Sequence, residues 1–403
     1  MDQENEGISR RKFVRSVGAL SALAALPTAA NAIDSTPEKP AATTILKSGP
    51  YLQAPSTDSI TVRWITNIPC LSWVEYGDAP DKLDKKGQMS NIGLVDAYNT
   101  VNAVDLNDLK TGTTYYYKIC SKIIDTFLAY KMIFGEMYTS PVYSFTTASL
   151  KADKVSFLVF NDIHDRPDSF QHLLKFNEGK KHDFVFLNGD MFDWQTDEDQ
   201  LVNHLLQPFG DMFASTPFFF SRGNHETRGK FARHIPDYFN GHDSRFYFSF
   251  QYGSMYAIVL DSGEDKQDND PAYYGMVDFD NYRLQQAAWL EKEIQKPAFK
   301  KAKHKVVFSH IPLFYSGDWH GTMHCRQVWN HIFNKAKIDI LISGHTHKYG
   351  IHPPVKGQHD YPIVIGGGPL VTKRTIISVE VDAQALTLTM TDDAGKVVGT
   401  ITV

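Results

Sequence analysis

The chain has 403 residues, 42% of them hydrophobic and 22% charged, with 27 Gly and 19 Pro, which leaves room for two domains and excludes a disordered or low-complexity polypeptide. Its formal net charge of −5 argues against a general nucleic-acid binder, and its three cysteines exclude a disulfide-dense scaffold. The 16 histidines are a more pointed clue, since imidazole is the commonest metal-binding side chain.

Residues 1–32 read as a targeting segment. Ser9-Arg10-Arg11-Lys12-Phe13-Val14 precedes an apolar run, Val17–Leu26, and a small-x-small pattern, Ala30-Asn31-Ala32. Paired arginines before phenylalanine resemble the twin-arginine export signal, a receptor-read address. The alternative is an N-terminal membrane anchor. The apolar run is well short of the ~20 residues of a spanning helix, which favours cleavage. No later stretch is long and apolar enough to span. The expectation is an exported protein, periplasmic or extracellular, with no transmembrane segment after signal removal.

A Pro/Ala/Thr-rich linker, 33–43, leads into a period-two region, 44–148. Ser59-Ile60-Thr61-Val62-Arg63-Trp64 and Ser72-Trp73-Val74-Glu75-Tyr76 alternate inward and outward, and turn signals such as Gly77-Asp78 and Thr111-Gly112 separate the runs. This predicts an all-β sandwich. It contains neither an acid–base pair nor metal-ligand spacing, so its expected role is support or a partner surface. An oxidising compartment permits a Cys70–Cys120 bridge with Cys325 left alone; three buried free thiols is the equal alternative.

Beyond Lys151–Lys154 the pattern changes to strands alternating with helices, defining a second domain, 151–403. Helices are predicted over Asp168–Lys180, Asp197–Phe209 and Asp280–Lys296, the last with Tyr282, Leu284, Ala288, Leu290 and Ile294 on helical spacing. Phe246–Phe250 and Met255–Leu260 suggest an antiparallel pair around Gly253, and Thr375–Val403 a closing hairpin. Five short apolar runs share one design. Val155–Phe160 ends in Asn161-Asp162-Ile163-His164, Phe184–Leu187 in Asn188-Gly189-Asp190, and Phe218–Phe220 leads to Gly223-Asn224-His225-Glu226. Lys305–Ser309 ends in His310, and Ile338–Ile342 in Ser343-Gly344-His345-Thr346-His347. Buried strands that stop at Asp, Asn or His place metal-type donors where open α/β sheets bind ligands. Two cations held about 3.5–4 Å apart need a carboxylate between them and nitrogen and oxygen donors around each. Asp162, His164, Asp190, Asn224, His310, His345 and His347 supply those types.

The blocks D-x-H, G-D-x-x-D, G-N-H-E, a strand-end His and G-H-x-H, in that order, resemble the calcineurin-like metallophosphoesterase superfamily. In front of them, Gly49-Pro50-Tyr51-Leu52-Gln53 with Ser59–Trp64 resembles the N-terminal sandwich of purple acid phosphatases, and Leu109–Tyr117 the tyrosine corner of a fibronectin type III domain. The resemblance implies an all-β fibronectin III-like sandwich followed by an α/β (α+β) two-layer sandwich of mixed sheets flanked by helices. It implies one metal on Asp162, His164 and His347, another on Asn224, His310 and His345, and Asp190 as the bridge. His225 would act at the leaving group, oriented by Asp193. The cofactors would be two divalent or mixed-valence transition-metal ions, Mn, Fe or Zn. A hydroxide shared between them would attack a small phosphate ester, a monoester first, a diester or nucleotide as the alternative. In purple acid phosphatases the bridging block ends in a tyrosine that ligates ferric iron. Here Asp193 stands in that place, so purple colour and an obligatory ferric ion are not implied. A non-catalytic binding module is the rival from another class; it predicts lost ligands, and no block lacks one.

Several residues belong to blander readings. His225-Glu226 is no zinc-peptidase motif, because Gly229 stands where the second histidine belongs. His172, His182, His204, His331 and His352 are read as surface or structural. Gly366-Gly367-Gly368-Pro369 is either a phosphate cradle or a tight turn. Asp318-Trp319-His320 and Met323-His324 are expected in a loop, with an aromatic group touching the organic part of a substrate.

Overall fold

The period-two region forms β1 (Leu46–Gln53), β2 (Ile60–Gly77), the short β3 (Lys85–Gly87), β4 (Ser90–Asn91) and β5 (Leu94–Val95), then β6 (Ala97–Leu106), β7 (Thr114–Leu128), β8 (Lys131–Thr139) and β9 (Tyr143–Thr146). The computed structural model describes residues 45–239 and 245–403, so the leader and linker read from the sequence lie outside the described residues. The first half of β2 pairs with β1 and β6, and its second half with β3 and β7, so one long strand passes from one layer of the sandwich to the other. Trp64, Val74, Tyr117 and Phe145 fill the space between. The Tyr115 hydroxyl accepts the Lys110 N–H at 2.9 Å, which pins the expected tyrosine corner. All three cysteines are buried and unbridged. Cys70 pairs with Ile123 and Cys120 with Trp73, three residues along continuous register, so the alternation of side chains sends the two thiols to opposite faces.

The α/β region adds β10 (Lys154–Phe160), β11 (Phe184–Asn188), β12 (Phe218–Ser221), β13 (Phe248–Tyr252), β14 (Met255–Leu260), β15 (His304–Ser309), β16 (Ile340–Ser343), β17 (Gly350–His352), β18 (Ile363–Ile365), β19 (Thr375–Asp382), β20 (Leu386–Asp392) and β21 (Val397–Thr402). β10, β11 and β12 are parallel neighbours, with antiparallel β19, β20 and β21 beyond β10. The C-terminal stretch is thus three strands rather than one hairpin. A second sheet runs β13-β14-β15-β16-β18-β17. The sheets face each other across Phe157, Phe186, Phe219, Phe308 and Ile342. Phe186 stacks on Phe308 with ring centroids 3.8 Å apart, and each such buried ring contributes about 1.5–3 kcal/mol. Helices Asp168–Leu174 and Phe209's neighbours cover the outer face of the first sheet, and Phe279–Glu293 and His320–Ala336 that of the second. The mixed, helix-flanked sandwich expected from the sequence is present.

Two further local readings differ. Phe279–Glu293 buries Phe279, Arg283, Gln286, Leu290 and Glu293, while Leu284, placed on the apolar stripe, is 49% exposed. Each buried polar group there has partners: Arg283 donates to Ser262 O, and Gln286 exchanges hydrogen bonds with the Asp261 backbone. His320, Met323 and His324 lie on the helix His320–Ala336 rather than in a loop. Its buried positions Gly321, Thr322, Cys325, Val328, Trp329, Ile332 and Phe333 repeat at helical spacing, but small and polar members mask the stripe.

The sandwich and the α/β region are joined by more than a linker. Gln53 of β1 pairs with Phe218 of β12, and Tyr51 and Ile65 belong to the same core as Phe160, Leu187 and Phe218. The Tyr117 hydroxyl donates to Ala214 O at 2.6 Å, and Arg63 Nη1 to Asp237 O at 2.7 Å. Tyr117→Phe leaves that buried carbonyl without its donor and is expected to cost about 1–3 kcal/mol. Denaturant unfolding is expected to show one transition for sandwich and α/β region together; two separate transitions would contradict a shared core.

Candidate metal centre

The carboxyl ends of β10, β11 and β12 in one sheet and of β15 and β16 in the other open at the same place. There the structure brings together all seven predicted donors. Asp162 and Asp190 are fully buried, as is His310. His310 Nε2 lies 3.0 Å from Asp190 Oδ2 and 4.0 Å from Asp162 Oδ1. His164 Nε2 lies 3.6 Å from Asp190 Oδ2 and 3.8 Å from Asp162 Oδ1, and His347 Nε2 is 3.4 Å from Asp162 Oδ1. His345 Nδ1 is 3.0 Å from Asn224 Oδ1. Asp162, His164 and His347 form one compact group, and Asp190, His310 and His345 another; Asp190 also groups with His164 and His225.

Local backbone geometry explains the fixed residue types. Asp162, His164, Asp190, His345 and His347 all have positive φ, between 51° and 71°, a conformation that costs non-glycine residues of order 1–3 kcal/mol and persists where the surroundings impose it. Gly223 and Gly344 are needed for close approach. A Cβ at Gly223 would lie 2.1 Å from Asp190 Oδ1, and one at Gly344 2.3 Å from Asp162 Oδ2. Gly366 and Gly368 likewise press on Asn161 and His347, so the glycine run backs the site.

The imidazoles are held so that specific nitrogens face inward. His310 Nδ1 donates to Asn188 O at 2.8 Å, leaving Nε2 buried and in no hydrogen bond. His164 Nδ1 bonds Asp193 Oδ1 at 2.9 Å, again leaving Nε2 for the interior. A carboxylate behind a histidine is the usual device for fixing a metal-facing nitrogen. The Asp193 carboxylate therefore orients His164, not His225 as expected. His225 Nδ1 instead donates to the Asp193 carbonyl at 2.6 Å, and its Nε2 accepts from Arg228 Nη1 at 3.0 Å.

Charge is the dominant feature of this pocket. Burial alone would raise the Asp162 and Asp190 carboxyls, yet the surrounding histidines hold both well below the usual carboxylate range. Burial works against a charged His310, but Asp190 and Asp162 push it up to about 10. His345, half-buried and beside His310, falls to about 4 through lost solvation and that neighbouring charge. Two buried carboxylates, an orphaned buried imidazole nitrogen and a neutral amide oxygen fit two transition-metal ions.

Three supporting residues had no role in the sequence reading. Glu226, fully buried, accepts the N–H groups of Asp190, Met191 and Gly223 at 2.7–2.8 Å, tying two donor loops together; burial and Asp190 push its carboxyl up to about 7. Glu264 grips Arg228 through two nitrogens at 2.7 and 2.8 Å. Only the acid after Asn-His hinted at Glu226; nothing local marked Arg228 or Glu264.

Residues 155–349 match the family "Calcineurin-like phosphoesterase", and residues 49–147 the "Purple acid Phosphatase, N-terminal domain". Residues 155–349 are thus a calcineurin-like phosphoesterase domain, preceded by a domain of the purple acid phosphatase N-terminal type. It is 24% identical to purple acid phosphatase 21 of Arabidopsis thaliana over 79% of this chain and 70% of that one, and 22% identical to acid phosphatase type 7 of Homo sapiens over 77% and 73%. The first curated relative, a probable purple acid phosphatase 20 of Arabidopsis thaliana, is 23% identical over 72% of this chain, which spans 66% of its length. A purple acid phosphatase from yellow lupin seeds superposes with a TM-score of 0.65 at 16% identity, covering 88% of this chain and 73% of that one. PhoD does so with 0.61 at 12% identity, covering 88% of each. At those identities the structural likeness establishes the fold.

Glu226→Gln replaces one acceptor oxygen with an amide that faces N–H donors. The expected loss is about 3 kcal/mol, at the upper end for hydrogen bonds to a charged group, together with lower metal occupancy. Thermal unfolding and metal analysis of the purified variant check both.

Proposed function

We propose that the chain is an exported hydrolase of small phosphate esters, acting on monoesters in the manner of an acid phosphatase. The observation that carries this reading is the convergence of all seven donors on two buried carboxylates, with His310 Nε2 3.0 Å from Asp190 Oδ2 at their centre. In this reading Asp162, His164 and His347 hold one ion, Asn224, His310 and His345 the other, and Asp190 both. The ions, when bound, neutralise phosphoryl charge and activate water.

The chain's own groups complete the chemistry. His225 and Arg228, both partly exposed at the pocket, form a pair at the leaving-group side. Arg228 is fixed by Glu264 and presents a permanent cation toward the incoming phosphoryl oxygens. Arg228 occupies Nε2 of the neutral His225 imidazole; for His225 to act as general acid, that nitrogen first takes a proton from solvent in place of the Arg228 contact and then hands it to the departing oxygen. A cavity of about 420 Å³ beside His347, lined by Tyr349, Pro369, Leu370, Lys348 and Lys373, offers apolar contact and two cations to the organic part. A larger groove of about 960 Å³ runs past Phe145, Gln171 and Pro217, and none of the seven donors lines it. Of these two, the cavity beside His347 is the one that adjoins the donors.

Asp190→Asn removes the charge shared by both ions and is expected to lower turnover by several orders of magnitude and to reduce bound metal. Near-normal activity at full occupancy would refute a two-ion site. His225→Ala is expected to keep both ions and lose ~10²–10⁴-fold activity on alkyl phosphates, with a much smaller loss on aryl phosphates whose leaving groups need no proton. Rates across leaving groups of graded acidity measure this; an equal loss throughout would make His225 a phosphoryl contact only.

Export is the second part of the proposal. No helix among the described residues is long and apolar enough to cross a membrane. Replacing Arg10 and Arg11 with lysine is expected to leave the precursor in the cytoplasm, as cell fractionation would show, because the twin-arginine pathway reads the guanidinium pair.

A further inference from the structure

We propose that Asp280, His320 and His324 form a third cation site, suited to a borderline transition metal such as Zn²⁺ and separate from the strand-end cluster. His320 and His324 are four residues apart on the helix His320–Ala336, so their rings lie on one face, with centroids 5.8 Å apart and planes 27° from parallel. Asp280, from the first turn of Phe279–Glu293, reaches between them. Its Oδ2 is 2.8 Å from His320 Nε2, and its Oδ1 is 2.9 Å from His324 Nδ1. One donor atom from each residue lies within 4.8 Å of the other two, close enough for small side-chain shifts to bring all three onto one zinc ion. Two imidazole nitrogens and one carboxylate oxygen, open to a water, make a three-ligand zinc set.

A plain ion pair accounts for His320 and Asp280; His324 Nδ1, buried and 2.9 Å from Asp280 Oδ1 without the alignment of a hydrogen bond, turns a second ring nitrogen to the same carboxylate, as a metal-facing nitrogen would. Asp280 also has the support expected behind a ligating carboxylate. Arg283, fully buried and anchored on Ser262 O and Glu264 O, donates to Asp280 Oδ1 at 2.8 Å and so fixes the carboxylate whose Oδ2 faces His320. That guanidinium and the two helix N-termini oppose a cation, so the site is weaker than the strand-end pair. It clips two helix starts together beside the loop that carries Glu264, since Gly321 N also donates to Asp265 O at 2.8 Å.

The full-length chain is stripped with a chelator, equilibrated with buffered Zn²⁺ and counted by elemental analysis. The wild type is expected to hold one more zinc than His324→Gln, and the same difference is expected in an Asp190→Asn background, where the strand-end pair is impaired. That second comparison separates this site from the proposed catalytic one. Equal counts in both backgrounds overturn the proposal. Should His324→Gln not fold, anomalous diffraction at the zinc edge from wild-type crystals decides instead. A peak between His320, His324 and Asp280 is expected, and its absence in zinc-soaked crystals that show the strand-end ions rules the site out.

Discussion

Two carboxylates buried around one imidazole nitrogen are the constraint on which this molecule is built. Asp162 and Asp190 both lie within 4.0 Å of His310 Nε2, with no exposed surface through which solvent might stabilise them. Removing a charge from water costs several kcal/mol even after relaxation, and a second like charge adds to it. Without a cation, the charge that offsets them is His310, held protonated to about pH 10 by the same two groups. Two buried carboxylates ringed by imidazole nitrogens are a setting that favours a bound cation. Everything nearby serves to keep the carboxylates in place: Asn161 donates to Asp162, the His345 N–H bonds the same carboxylate, and Glu226 gathers the N–H groups that begin the Asp190 loop.

Holding such a pair requires a stiff frame, and the two facing sheets supply it. Each donor follows directly from a strand whose side chains are packed on both faces, so its backbone has little freedom to relax away from strain. Five donors with positive φ are tolerable only on that footing. The sandwich contributes to the same stiffness. By extending the sheet from β12 through β1, and by capping the carbonyls of Ala214 and Asp237, it braces the strand that leads to Asn224.

Much of this was legible in the chain itself, and the exceptions follow a pattern. Strands that are buried on both faces read as unbroken apolar runs, and the donors after them stand out because polar residues at such positions need a reason. The helix Phe279–Glu293 was legible as a helix but not in orientation. Its buried face carries Arg283, Gln286 and Glu293, whose partners lie on distant segments and leave no mark in a hydrophobic pattern. His320–Ala336 was hidden for the related reason that Gly321, Thr322 and Cys325 occupy buried positions. Glu264 and Arg228 are 36 residues apart and meet only through the fold. Residue spacing reveals donors that share a strand end; it does not reveal which carboxylate stands behind which histidine.

Asp193 shows why that last distinction matters. At this position the purple acid phosphatase pattern has a tyrosine that binds ferric iron directly. Here the side chain is a carboxylate whose oxygen sits 2.9 Å from His164 Nδ1, so it acts on a candidate ligand rather than as one. The inward donor becomes a neutral imidazole nitrogen in place of an anionic phenolate. Fewer anionic donors leave a bound ion with more of its positive charge, and nitrogen donors of this kind suit divalent Zn, Mn or Fe without demanding a trivalent ion. The carboxylate behind the imidazole then restores part of the lost donor strength, because a hydrogen-bonded Nδ1–H makes Nε2 more basic. A carboxylate at the end of the bridging block thus places negative charge behind the imidazole rather than directly on the ion.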